Sequence, residues 1–479
     1  MTNNAPFDQS QLSGLTEPLN ILLVNDDGYD SEGIEAMRDQ LLALGHSVTV
    51  VAPAGPQSGK GTSLDADKIF QPVTITEFRP GDFHVDGTPV TTVTAGLDYL
   101  MEGNTPDLVI SGINEGANLG EIANNSGTVS AAVTALLRGV PSIAISANVS
   151  DDPDQAAANY EAAAKLTGSV VTDLALRKAL GLDMLPEGTA LNINVPEGWN
   201  GEDVAYTSVT GTNAFEFDFP QLDPNSDDVL FSFTGATPTG QDDSETVWID
   251  QGYATISPMD GDWSAPEEVR AQLEERLDDL SHTDVDQAAE ALNIMLVNDD
   301  GYDAAGIQTM AAALIDAGHN VTIIAPAEQQ SGQGTNLDVP SLFQVIDVNA
   351  IDGGYSVDST PVIVTEVGLK TLYDGTPDLV VSGINSGENV GKTAISSGTV
   401  SAAVTAILGG VPAIAVSGGL DHSFEMSQDT YDTGAAFTVD LIADLIASAN
   451  GGPLLPEGTG LSVNVPHGTT GEVAFTHLD

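Results

Sequence analysis

Residues 20–34 read NILLVNDDGYDSEGI: a short apolar run, an asparagine, two adjacent aspartates and a glycine. An apolar run of this length that ends in turn residues predicts a buried strand over NILLVN. Ile34, Met37, Leu41 and Leu44 then recur at helical spacing, and Gly45 supplies a stop. Two like charges at the end of a buried strand repel each other and lose solvation. A bound cation relieves both penalties. The plainer reading is that one aspartate caps the next helix and the other is solvated.

The same text returns at residues 294–307 as IMLVNDDGYDAAGI. Asp26 pairs with Asp299 and Ser58 with Ser331, at an offset of 273 (299 − 26), which falls only to 271 (385 − 114) at Asn114 and Asn385. SGTVSAAVTA stands verbatim at 126–135 and 397–406. A period this long is a duplicated domain, not a solenoid. Within each copy strands alternate with helices: HSVTVVAP, PDLVISGIN, PSIAIS and ALNINVP read as strands, GTVSAAVTALLRG and the stretch from Asp154 to Leu180 as helices. This alternation predicts two α/β domains of Rossmann-like, doubly wound, mostly parallel sheet. The expected organisation is a polar tail (1–19), core one (20–205), an extended β arm (206–262), a helical acidic linker (263–292) with Ser264 as N-cap, and core two (293–479) without an arm.

The chain has 479 residues and a net charge of −58, with 12 Lys+Arg against 70 Asp+Glu. That surface argues against long nucleic acids, which require basic patches to displace counterions. It suits a salt-rich cytoplasm or an exported protein, although the N-terminus shows no secretory signal pattern. No window is apolar for long enough to span a membrane. With no cysteine, thiolate metal sites, thiol nucleophiles and disulfides are excluded.

Four oxygen-rich loops fall at strand ends, where open α/β sheets bind ligands. They hold Asp26 and Asp27, then Ser58 in APAGPQSGKG, Asn114 in SGINEGANLG, and Ser126, Gly127 and Thr128 at a helix start. Carboxylate, hydroxyl and amide oxygens suit Mg²⁺, Mn²⁺ or Ca²⁺. The free N–H groups and dipole of a helix N-terminus suit a phosphate. The second copy repeats the series as Asp299, Asp300, Ser331, Asn385 and Ser397, Gly398, Thr399. Taken singly, each loop also reads as an ordinary turn or cap. Their shared order in both copies favours a site.

Together ILLVNDDG, VVAP…SG, GTP, PDLVISGIN and SGTV resemble the SurE (survival protein) family, over residues 20–275 and again over 293–479. The resemblance implies a metal-dependent nucleotidase or acid phosphatase that hydrolyses nucleoside 5′- or 3′-monophosphates. It implies one divalent cation per copy, held by Asp26, Asp27, Ser58 and Asn114 and by Asp299, Asp300, Ser331 and Asn385. The same aspartates then become the catalytic candidates. Family members commonly exchange a C-terminal arm in dimers, so an internal pseudo-dimer is expected here, with further homo-oligomers compatible. Three departures bear on specificity: Asn125 and Ser396 stand where an aromatic is usual, Thr134 and Thr405 where an acid is usual, and GTP at 87–89 becomes STP at 359–361. The alternative function is a non-catalytic, cation-binding acidic surface protein. A signalling receiver is disfavoured, since Asp107 begins its strand and no lysine follows PSIAIS.

Overall fold

A computed structural model of the chain describes residues 17–68, 70–211, 215–241, 243–277, 291–449, 451–468 and 473–476. The chain forms two compact units. The first runs up to Phe215 and resumes over Ala236–Gly261; the second takes Glu216–Gly235 and everything from Asp262 onward.

In the first unit β1 (Asn20–Val24) leads through α1 (Glu32–Ala43) to β2 (Ser47–Pro53). There follow β3 (Ile75–Arg79), β4 (Asp82–Val85), α2 (Pro89–Ala95), β5 (Leu108–Glu115), α3 (Gly127–Leu137), β6 (Ser142–Ala147), α4 (Pro153–Ala179), β7 (Ala190–Val195) and β8 (Val204–Tyr206). Strand β1 is apolar at successive positions because both faces are covered. Ile21 and Leu23 pack with Ile34, Met37 and Leu41 of α1 and Val171 of α4. Leu22 and Val24 pack with Val93 of α2 and Ala131 and Ala135 of α3. Each fully buried Leu or Ile contributes roughly 1.5–3 kcal/mol, so this strand anchors both layers. The sheet is parallel across β4-β2-β1-β5-β6-β7, as the alternation predicts.

The stretch 206–262, expected as one β arm, is divided. After β9 (Phe215–Asp218), β10 (Val229–Leu230) and β11 (Ser232–Gly235), the chain forms a helix, α5 (Glu245–Asp250), and then β12 (Ala254–Met259). Strand β12 runs antiparallel to β7 and parallel to β8, completing the nine-stranded sheet β3-β4-β2-β1-β5-β6-β7-β12-β8.

From Asp262 onward the second unit continues with α6 (Glu267–Arg276), whose Leu273 enters that unit's core together with Leu277. Ser264 does not cap this helix: Pro266 holds the cap position, with no side-chain capping bond. Proline keeps the residue before it out of the helical region, so the helix cannot begin upstream of Pro266. Much of the expected linker, 278–290, lies outside the described residues. Then come β13 (Asn293–Val297), α7 (Ala305–Asp316), β14 (Asn320–Pro326), β15 (Val345–Ile346), β16 (Val348–Ile351), β17 (Gly354–Val357), α8 (Pro361–Val367), β18 (Leu379–Ser386), α9 (Gly398–Leu408), β19 (Ala413–Gly418), α10 (Gln428–Ala449) and β20 (Gly460–Val465). The sheet order β16-β17-β14-β13-β18-β19-β20 repeats that of the first unit.

Residues 216–235 are built into this second unit. Strand β10 pairs antiparallel with β15, Val229 opposite Ile346. Asp228 accepts from the Val348 N–H at 2.9 Å, and Thr371 donates to the Phe219 carbonyl at 3.0 Å. Phe219 and Phe231 are each 1% exposed and stack at 5.3 Å. None of the described helices is long and apolar enough to cross a membrane.

Candidate functional site

Strand β1 lies between β2 and β5, so the chain leaves it in one direction and returns on the other side. A crevice opens at such a switch point beyond the carboxyl ends of the strands. Asp26 and Asp27 stand there, after β1, and Asn114 stands at the end of β5. The β5–β6 register shifts between Ser111 and Asn114, which re-aims the end of the strand. Gly112 permits this at φ 130°, with space for a Cβ closed by the Ile145 carbonyl at 2.2 Å. Gly383 repeats the arrangement in the second unit.

The four loops converge as predicted from their strand ends. The Gln57 N–H donates to the Asp26 carbonyl at 2.6 Å, which sets the Ser58 loop against the acidic pair; Ser58 itself is exposed. Gln330 and Asp299 do the same, also at 2.6 Å. The Glu115 N–H donates to Asp27 Oδ2 at 3.3 Å, and the Ser386 N–H to Asp300 Oδ2 at 3.0 Å. Asn114 commits its amide nitrogen to the Glu115 and Gly116 carbonyls, at 3.1 and 2.7 Å, and Asn385 commits its own to Gly387 at 2.7 Å. Each amide oxygen is thereby the atom left for a ligand.

The start of α3 is more closely involved with the acids than the sequence suggested. Ser126 caps the helix by accepting from the Val129 N–H at 3.1 Å, and Ser397 does so for Val400. The Thr128 hydroxyl donates to Asp26 Oδ1, and Thr399 donates to Asp299. These hydroxyls are engaged with the protein, and the backbone N–H groups are the part of this helix start that the sequence reading offers to a phosphate. A Cβ on Gly127 would stand 2.7 Å from Asp26 Oδ2, and one on Gly398 2.7 Å from the Asp299 Cβ. Only glycine lets the helix end approach the carboxylate this closely.

Asp26 is 2% exposed and Asp299 3%. Burial raises the pKa of all four acids above the usual carboxylate range, and repulsion within each pair adds to it, on Asp27 and on Asp299. Hydrogen bonds from Thr128 and Thr399 oppose the rise. Among the described residues no Lys, Arg or His forms an ion pair with any of the four. Nor do three or more His, Asp or Glu gather anywhere among the described residues as a ready-made cage. A cation at this crevice would therefore be held by two carboxylates, an Asn oxygen and a Ser hydroxyl. That all-oxygen set fits a hard divalent ion that keeps part of its water shell.

Several neighbours escaped the sequence reading. The buried Asn25 and Asn298, just before each pair, donate to the Gly28 and Gly301 carbonyls at 2.8 Å, while their own Oδ1 atoms have no partner among the described residues. Tyr160 and Tyr431, on the long helices α4 and α10, lie against the glycines opening α1 and α7, 3.2 and 3.1 Å from where a Cβ would be. Burial and then negative charge, from Glu115 and Asp27, push the Tyr160 hydroxyl upward. Nothing in a helical alanine-rich segment marks that tyrosine in advance. Thr134 and Thr405 bond back to the Ser130 and Ser401 carbonyls of their own helices, at 2.7 and 2.9 Å. The two sites also differ: Glu115 corresponds to Ser386, and Pro56 to Gln329, which bonds to Ser331 at 3.1 Å and to Asp300.

The family model for "Survival protein SurE" matches residues 21–216 and 294–479. A Vibrio campbellii protein named 5′-nucleotidase SurE is 35% identical over 262 residues, covering 53% of this chain and 93% of that protein. The like-named protein of Archaeoglobus fulgidus is 36% identical over 255 residues, covering 52% and 93%. The crystal structure of the SurE protein from Aquifex aeolicus matches 53% of this chain and 98% of its own, at 32% identity and a TM-score of 0.46.

Proposed function

The chain belongs to the SurE family in both of its halves, and from that premise we propose that it is a divalent-metal-dependent phosphomonoesterase acting on nucleoside 5′- or 3′-monophosphates. The observation that carries this reading is the pair of buried, adjacent carboxylates, present twice, each lacking a basic partner among the described residues and each beside an oriented Asn oxygen. A cation is the simplest group that makes such a pair stable. The nucleotidase names of the relatives support the substrate class.

The residues take the following roles. Asp26, Asp27, Ser58 and Asn114 hold one Mg²⁺ or Mn²⁺, and Asp299, Asp300, Ser331 and Asn385 hold a second; Ca²⁺ fits the same oxygen set. When bound, the cation polarises the phosphoryl oxygens and lowers the pKa of a water. Thr128 and Thr399 fix the inner carboxylates by hydrogen bonds. Asp27 and Asp300, less encumbered, accept the proton released by the attacking water. Of the groups at Ser126–Thr128 and Ser397–Thr399, the backbone N–H groups of Gly127 and Gly398 at the helix starts are assigned to the phosphate. The segment 216–235 follows the first core in the chain yet packs within the second unit, as expected if the first copy's arm serves the second core.

The test is hydrolysis of a panel of nucleoside monophosphates and an aryl phosphate, with chelator and with Mg²⁺ or Mn²⁺ restored. Activity should vanish with chelator and return with metal. Asp26→Asn with Asp299→Asn should lower kcat/KM by more than about 100-fold, since metal-site ligands matter at least as much as the groups that support them. Cation binding that persists with no hydrolysis of any ester would instead favour the acidic, non-catalytic binding protein.

A further inference from the structure

Glu245 opens α5 and is 0% exposed, an expensive place for a carboxylate unless it is fully hydrogen-bonded. It has three donors. The Gly120 N–H gives to Oε1 at 2.7 Å; Asn192 Nδ2 and the Ser257 hydroxyl give to Oε2 at 3.1 and 2.9 Å. Ser257 is paired in turn with Thr207 at 2.7 Å.

Gly120 lies on the loop that joins the two halves of the candidate site, downstream of Asn114 and upstream of Ser126. This loop is fixed along its length by side chains from β6 and β7. Asn118 exchanges bonds with Asn194, N–H to Oδ1 at 2.8 Å and Nδ2 to carbonyl at 3.1 Å, and gives to Ser146 at 2.8 Å. Asn192 also donates to the Asn118 carbonyl, at 2.9 Å, so one side chain ties the loop to Glu245. Gly120 itself sits at φ 52° with the Gly211 carbonyl 2.0 Å from where a Cβ would be. The loop is thus wedged against Gly211, to whose carbonyl the Glu121 N–H also donates at 3.3 Å, and is held there by the buried Glu245 carboxylate.

We propose that Glu245 is a positioning residue for the first site: it holds the Gly120 corner so that Asn114 and the start of α3 keep their spacing about Asp26 and Asp27. The role rests on the phosphomonoesterase reading, and it acts through the loop without touching the reacting atoms.

The test uses the full chain with Asp299→Asn and Asp300→Asn, which leaves only the first site to be read. On this parent, Glu245→Gln is compared with Ser257→Ala, which removes one donor but spares the Gly120 bond. Three readouts are taken: Mn²⁺ binding by titration, kcat and KM for an aryl phosphate, and amide exchange at residues 113–128. Glu245→Gln should weaken Mn²⁺ binding and lower kcat by about 10- to 100-fold, the usual effect of removing a supporting partner, with faster exchange at 113–128. Ser257→Ala should stay within about threefold of the parent. Glu245→Asp keeps the charge but is one methylene short of Gly120; it is read in the same way should the glutamine variant fail to fold. Equal Mn²⁺ binding and unchanged exchange in Glu245→Gln would overturn the role, as would a Ser257→Ala effect of the same size. A parent that binds Mn²⁺ but hydrolyses nothing would count against the phosphomonoesterase reading alone, since binding and exchange still decide the part played by Glu245.

Discussion

Thr399 donates its hydroxyl to Asp299 Oδ1 at 2.5 Å, across 100 residues of chain, and Thr128 makes the same bond to Asp26. A threonine at the second position of a helix is thus committed to the acid that ends the first strand of its sheet. The bond favours the ionised carboxylate, which burial otherwise disfavours. Thr128→Val with Thr399→Val should move the acidic limb of the kcat/KM profile to higher pH by about one unit, the size expected for one hydrogen bond to a charged group. The measurement is a pH profile at saturating metal; an unmoved limb would separate the threonines from the ionisation of the pair.

Stability should respond to pH and metal together. Asp26 is pushed up to about 6 and Asp27 and Asp299 to about 7, from 3.8, by burial. Between about pH 4 and 7 the folded chain therefore binds more protons than the unfolded chain. The stability these groups contribute is present at low pH and is lost as pH rises through their folded values. In chelator, Tm should fall from pH 5 to 7.5. Mn²⁺ at matched ionic strength should restore more at pH 7.5 than at pH 5, because the ion competes with protons for the same oxygens. In a chain carrying all four Asp→Asn changes, that pH-dependent gain should disappear.

Gly127→Ala forces a methyl within 2.7 Å of Asp26 Oδ2. The backbone there is ordinary helix, so the cost is overpacking, about 1–3 kcal/mol. With the second site silenced, we expect loss of both Mn²⁺ binding and turnover from a chain that is still folded at 25 °C by circular dichroism. Gly139→Ala, at φ 79° with open space around it, serves as a strained control remote from the acids.

Phe231→Ala removes a ring that is 1% exposed and packed against Phe217 and Phe219. The expected cost is about 3–5 kcal/mol. It should fall on the second unit although Phe231 precedes that unit's core in sequence. Hydrogen exchange should quicken at 343–348 while β1 and β5 remain protected.

The strands and helices around Asp26 and Asp299 were legible because local patterns dictate them: ILLV is apolar throughout since Ile21 and Leu22 face opposite helix layers. The duplication followed from spacing, and the convergence from the placement of the four loops at the carboxyl ends of strands. What stayed hidden depends on partners far away in the chain. Glu245 sits in DDSETVWID, inside the stretch expected as an extended β arm; its buried partners Gly120 and Asn192 are 125 and 53 residues distant. Strand β12 could not be told from arm strands, because only its pairing with β7 makes it part of the sheet. Residues 216–235 carry alternating aromatics that demand cover, yet nothing local says which core provides it.

That last segment changes what it means to call the molecule a tandem duplication. Severing the polypeptide between the two repeats would not yield two complete bodies, because the left-hand fragment carries off a strand and two phenylalanines that the right-hand body requires as filling. A gene fragment covering only the downstream repeat would thus encode a body with a hole in its side. The dependence runs one way: the downstream body borrows a segment written inside the upstream repeat.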